Sequence, residues 1–119
     1  EQVGLLHLAS KPTSALVHGE KRQLELAICL SSSAKLLILD EPLAGLGPVE
    51  SAQMIELLRT LKSQFGILLV EHDMDAVFSL ADRISVLVNG AVIASGTVEE
   101  IKNDPLVKSA YLGDELEIF

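Results

Sequence analysis

The chain has 119 residues, enough for one domain with a core, and its 49% hydrophobic content excludes a disordered tail. A net charge of −8 denies it the basic footprint of a general nucleic-acid binder. Its apolar runs, such as Leu36–Leu39 and Ile67–Val70, are strand-sized and far short of the roughly 20 residues that span a bilayer. Cys29 is the single cysteine, so no internal disulfide can form; a reducing cytoplasm fits, and the thiol reads as a small apolar filler in a helix. No basic, apolar leader opens the sequence.

Residues 1–15 carry weak patterning, with Lys11-Pro12-Thr13-Ser14 as a loop. A helix is predicted over Gly19–Leu30, with Lys21, Arg22, Gln23 and Glu25 set against Leu24, Ala27, Ile28 and Leu30. Leu36–Asp40 reads as a buried strand. Pro48 suits the first position of a second helix, whose Met54, Leu57, Leu58, Leu61 and Phe65 repeat at helical spacing as core, with Gly66 as its stop. A strand over Ile67–Glu71 and a helix over Met74–Leu80 follow, the latter with Met74, Val77, Phe78 and Ala81 on one face. Ile84–Val88 and Ala91–Ser95 flank Asn89-Gly90, a hairpin signal because both turn positions tolerate positive φ. Thr97-Val-Glu-Glu100 is a capping box for a short helix, and Asp104-Pro105 opens another that Gly113 closes. The acidic segment from Gly113 to Phe119 reads as a loosely held tail. Strand and helix alternate before an antiparallel hairpin, which predicts an α/β sheet with a small β addition.

Three segments carry chemistry. Asp40-Glu41 closes one apolar strand and Glu71-His72-Asp73 the next; in a parallel sheet both carboxyl ends reach one edge, where open α/β sheets hold ligands. Leu16-Val17-His18-Gly19-Glu20 enters the first long helix and offers backbone N–H groups at a helix start. Taken singly, each has a plainer reading: a strand end running into a solvated turn, a structural histidine, the mere start of a helix. His7 and His18 have no metal-ligand partner at useful spacing.

Taken together, these segments resemble the ATP-binding cassette (ABC) ATPases. Leu16-Val17-His18-Gly19-Glu20 is similar to the signature loop usually written Leu-Ser-Gly-Gly-Gln, Leu36–Glu41 to a Walker B strand, Leu43-Ala44-Gly45-Leu46-Gly47 to a D-loop, and His72 to the switch histidine. Within the family, the His-Gly-Glu signature followed by Arg22-Gln-Leu-Glu25, Val70-Glu-His-Asp-Met74, and Asp104-Pro with Ala110-Tyr-Leu-Gly113 resemble the ATPase subunit of branched-chain amino-acid importers. The resemblance implies part of a P-loop NTPase core sheet with flanking helices and a C-terminal hairpin. It makes residues 1–119 the C-terminal portion of one nucleotide-binding domain: 1–15 a remnant of the helical region, 16–82 the motifs, 83–119 the hairpin and last helices. It further implies ATP and Mg²⁺ as cofactors. Asp40 would hold Mg²⁺ through water, Glu41 would orient the attacking water, and His72 would contact the γ-phosphate. Val17, His18, Gly19 and Glu20 would close in trans on ATP held by a second ATPase subunit, identical or not, beside the D-loop residues Ala44, Gly45, Leu46 and Gly47. Membrane permease subunits and, indirectly, a substrate-binding protein would be partners, nucleic acid would not, and the subunit would sit on the cytoplasmic face of the membrane.

Two departures qualify the match. Val17 replaces the serine whose hydroxyl donates to the γ-phosphate, and Gly47 stands where many D-loops carry aspartate. These 119 residues contain no G-x-x-x-x-G-K-[ST] phosphate loop, so the isolated chain is expected to bind ATP poorly and not to turn it over. An uncovered edge with apolar surface, and self-association, are expected of such a half-domain. An ABC ATPase of another system, for urea or lipopolysaccharide, and a catalytically inactive interaction module remain as rivals.

Overall fold

A computed structural model describes residues 2–112; the tail beginning at Gly113, and the helix stop assigned to that glycine, lie outside the described residues. The chain forms two compact units, Glu1–Asp73 and Met74–Phe119. In the first, α1 (His18–Ser31), β1 (Leu36–Asp40), α2 (Pro48–Leu61) and β2 (Gly66–Val70) follow two short 3-10 turns at Leu6–Leu8 and Thr13–Ala15. In the second, α3 (Met74–Leu80) precedes the hairpin of β3 (Ile84–Val88) and β4 (Ala91–Gly96); α4 (Val98–Asn103), α5 (Pro105–Val107) and a π-helical turn over Lys108–Leu112 complete it. None of the described helices is long and apolar enough to cross a membrane.

The pairing that positions the site is parallel. β1 lies beside β2 in the register Leu36↔Gly66 through Asp40↔Val70, so both strands end at the same level. Because strand side chains alternate, Leu37 and Leu39 share one face with Ile67 and Leu69. That face meets the core of the first unit, where Leu26, Leu37, Leu43, Met54, Leu58 and Leu61 are buried. The other face carries Leu36, Ile38, Leu68 and Val70, all exposed. The expected fully buried strand is therefore buried on one face only, since the second face has no covering layer among the described residues.

α2 starts as expected, with Gly47 as N-cap and Pro48 at the first turn, but ends at Leu61. Its last turn closes through the Lys62 and Phe65 amides onto the Leu58 and Leu61 carbonyls, and Gly66 opens β2 instead of capping the helix. Met54, Leu58 and Leu61 form the buried stripe, with Phe65 half-buried beyond it. α1 departs further. Leu26 is its buried residue, whereas Ile28 is 64% exposed and Cys29 is exposed, so the thiol fills no core. On a helix of 3.6 residues per turn, Leu24 and Ile28 lie roughly opposite Leu26. Apolar residues thus occupy both sides of α1, and periodicity alone cannot choose the inward one.

The second unit builds its own core from Ile84, Val86, Ile101 and Val107, against which Val77, Phe78, Ala81, Ile93 and Val98 pack. Ala76 and Leu80 are also buried, so more than the expected stripe of α3 is covered. Asn89 and Gly90 both take positive φ, +50° and +78°, as the two-residue hairpin turn requires. A bulge between Val86 and Leu87 shifts the register, and the Tyr111 hydroxyl donates to the Leu87 carbonyl at 2.6 Å. The capping box at Thr97 is complete. The Glu100 amide donates to the Thr97 hydroxyl at 3.3 Å, and the Glu100 carboxylate accepts from the Thr97 amide at 2.7 Å.

The Thr97 amide, and after it the Thr97 hydroxyl, bond the Glu100 carboxyl itself and hold it below its ordinary pKa of 4.5. A carboxyl lowered on folding stabilises the fold above its unfolded pKa, and loses that contribution as pH falls through the folded value. Thermal melts of wild type and Glu100→Gln should therefore differ at pH 6 and converge as pH drops below about 4. A constant difference across that range would contradict it.

Candidate active site

The chain leaves β1 through a residue in the left-handed region. Glu41 has φ +47°, a conformation that costs a non-glycine residue on the order of 1–2 kcal/mol. Its surroundings enforce it. The Glu41 amide donates to the Val70 carbonyl at 2.8 Å, extending the parallel ladder by one step, and the Glu41 carbonyl accepts from the Ala44 amide at 3.1 Å to close a turn. With the backbone pinned, the carboxylate reaches across the strand ends to His72, whose Nδ1 lies 3.2 Å from Glu41 Oε1. A carboxylate oxygen accepts, so the ring proton sits on Nδ1 and Nε2 is a bare acceptor while the ring is neutral. Both groups are open: the His72 side chain is 73% exposed and that of Glu41 50%.

Glu71 does the opposite. Its side chain is 2% exposed although its backbone is not buried. It accepts from the His72 amide at 3.0 Å and, in a longer bond of 3.4 Å, from the Leu43 amide; His72 Nδ1 lies 3.6 Å away. One buried carboxylate thus joins the end of β2 to the loop after β1 and lies beside the imidazole. The sequence does not single out Glu71, where it is one more acid beside a histidine. The available signal was parity: Ile67, Leu69 and Glu71 share the inward side of the pleat.

The loop before α1 is anchored by buried Leu16. Val17 is the N-cap, and its amide donates to Glu20 Oε2 at 2.9 Å. This is half a capping box, because valine has no oxygen to accept the return bond from the Glu20 amide. Val17, Gly19 and Glu20 line a shallow cavity of about 210 Å³ with Leu46, Glu50 and Met54. His18 turns instead toward the loop after β1, with Nε2 3.0 Å from the Ala44 carbonyl.

The expected site residues thus fall into three groups. Glu41 and His72 touch. Signature-like Val17, Gly19 and Glu20 share a cavity with Leu46, while His18 meets Ala44 and Gly45, and Gly47 caps α2. Asp40 is exposed and borders a second cavity of about 200 Å³ with Arg22, Leu26 and Pro42. Among the described residues, no three His, Cys, Asp or Glu side chains gather closely enough to hold a metal. A lone carboxylate fits an Mg²⁺ ligated mostly by water and phosphate oxygens, and does not fit a metal caged by protein.

A family model described as ABC transporter matches residues 1–44, and one described as branched-chain amino acid ATP-binding cassette transporter matches residues 91–117. Over most of its length the chain is similar to ABC transporter ATPases. It is 45% identical over 116 residues to the high-affinity branched-chain amino acid transport ATP-binding protein LivG of Salmonella typhimurium, covering 96% of this chain and 46% of LivG. To the corresponding protein BraF of Pseudomonas aeruginosa it is 41% identical, with the same coverage. The fold is similar to part of MJ1267, an ATP-binding cassette of an ABC transporter in its ADP conformation, with a TM-score of 0.80 at 27% identity over 94% of this chain and 46% of that one. The chain therefore spans just under half the length of these relatives.

The half-built cap yields a stability prediction. Val17→Ser supplies the missing acceptor for the Glu20 amide and should raise unfolding stability by about 1 kcal/mol. An unchanged denaturant midpoint would show that the hydroxyl does not complete the box.

Proposed function

We propose that this chain is the portion of an ATP-hydrolysing importer subunit that carries the catalytic glutamate and the γ-phosphate histidine, and that the subunit powers uptake of branched-chain amino acids. The observation that supports it best is the 3.2 Å contact between Glu41 and His72 across parallel strand ends, both carboxylate and ring remaining open to an incoming group. Glu41 accepts a hydrogen bond from the attacking water and orients it. His72, held through Nδ1, presents Nε2 to the γ-phosphate, where it becomes a donor only on gaining a proton. Asp40 would hold Mg²⁺ through water, and the ion would supply neutralisation of charge on the phosphates. Such positioning and charge stabilisation is most of what phosphoryl transfer asks of a protein.

The branched-chain assignment rests on the match over residues 91–117 and on LivG and BraF. In this reading the subunit works as a pair with a second ATPase subunit, docks on membrane permease subunits at the cytoplasmic face, and serves a separate substrate-binding protein. Residues 1–119 act as the C-terminal portion of one nucleotide-binding domain, with the loop of Val17, His18, Gly19 and Glu20 facing ATP held by the second subunit while the His18 ring itself turns back onto Ala44.

The test is a graft. This chain replaces the homologous segment of the Salmonella LivG protein, and steady-state ATP hydrolysis is measured with and without Glu41→Gln. The expected result is measurable turnover that falls by about 100-fold or more in kcat, with KM for ATP changed less than about threefold. Equal kcat for the two proteins would overturn the catalytic assignment and favour a non-catalytic interaction module, the reading to which Val17 lends support.

A further inference from the structure

We propose that His18 is a positioning residue whose imidazole ties the loop opening α1 to the loop following β1, so that the two segments move as one body. Its functional weight rests on the reading of these loops as nucleotide-facing; the bond itself does not, and the two can fail separately.

The tie has two halves. His18 Nε2 lies 3.0 Å from the Ala44 carbonyl oxygen. A carbonyl only accepts, so the proton is on Nε2 and Nδ1 is bare, the tautomer opposite to that of His72. The second half is the space the ring occupies. Gly45 takes φ +74°, and a Cβ there would stand 3.0 Å from His18 Nε2, tight enough that the ring would have to give by a few tenths of an ångström. Gly45 thus serves the turn and admits the ring at once.

The ends being joined are each fixed from below. Leu16 is buried just before His18, and Leu43 just before Ala44. The Ala44 and Leu46 amides are held by the Glu41 and Leu43 carbonyls at 3.1 and 3.2 Å. A hydrogen bond between two anchored segments transmits displacement, where one between two loose loops would not. The link runs from His18 to Ala44 and on through the Ala44–Glu41 turn to the carboxylate that meets His72. The usual signature pattern has glycine at position 18, which has no side chain to make this bond.

The experiment uses the full chain, labelled with ¹⁵N, in three versions: wild type, His18→Phe, which keeps a ring but no donor, and His18→Gln, which keeps a donor at similar reach. In wild type the His18 ring should show a protonated Nε2 and an unprotonated Nδ1. His18→Phe should speed amide hydrogen exchange at Ala44 and Leu46 about tenfold, and His18→Gln should restore both to within about twofold of wild type. Leu37 and Leu39 in β1 should not change. An unprotonated Nε2 in wild type, or Ala44 and Leu46 rates that are equal in wild type and His18→Phe, would overturn the proposal.

Discussion

The parallel register of β1 against β2 is the constraint on which the rest depends. It places Asp40 beside Val70, and the next amide along, that of Glu41, still donates into the ladder. A one-residue slip would invert the pleat. With β2 held in place, Leu37 and Leu39 would turn outward, and the Glu41 carboxylate would no longer meet His72. The register is enforced by burial on one face only, so the packing of Leu37 on that face also aligns the polar ends.

Division of labour among the acids follows from burial. Glu71 is enclosed and satisfied by two backbone amides, so it is committed to holding the loop and the histidine. Glu41 is half open and has one partner, on the imidazole, which leaves acceptor capacity free. A strained backbone at Glu41 is consistent with this, since strain persists where surrounding bonds over-determine a residue that has work to do. Apolar anchors stand beneath the polar residues: Leu16 under the first loop and Leu43 under the second.

Much of this was legible in the sequence. Leu36–Asp40, Met74–Leu80 and Ile84–Val88 form the elements their patterns predict, and Asn89-Gly90 makes the turn its backbone freedom allows. The closeness of Glu41 and His72 followed from two apolar runs each ending in polar residues. Faces were less legible. Ile28 and Ile38 lie in apolar runs that look like core, yet both are exposed, because a run records apolarity without recording which layer covers it. Cys29 misled for the same reason. Glu71 and Glu41 look alike as letters, and only the pleat and the left-handed turn separate them. His18 meets the Ala44 carbonyl 26 positions along the chain, beside Gly45, and no local pattern announces such a pair.

The central claim is that the strand ends make Glu41 and His72 one functional unit. A double-mutant cycle on ATP turnover in the grafted subunit tests it most directly, using Glu41→Gln, His72→Ala and the pair. Groups acting as a unit are strongly non-additive. Convergence predicts that the double variant is slower than the worse single variant by less than about threefold. Single effects that multiply in the double variant would show two independent residues, and would contradict the claim.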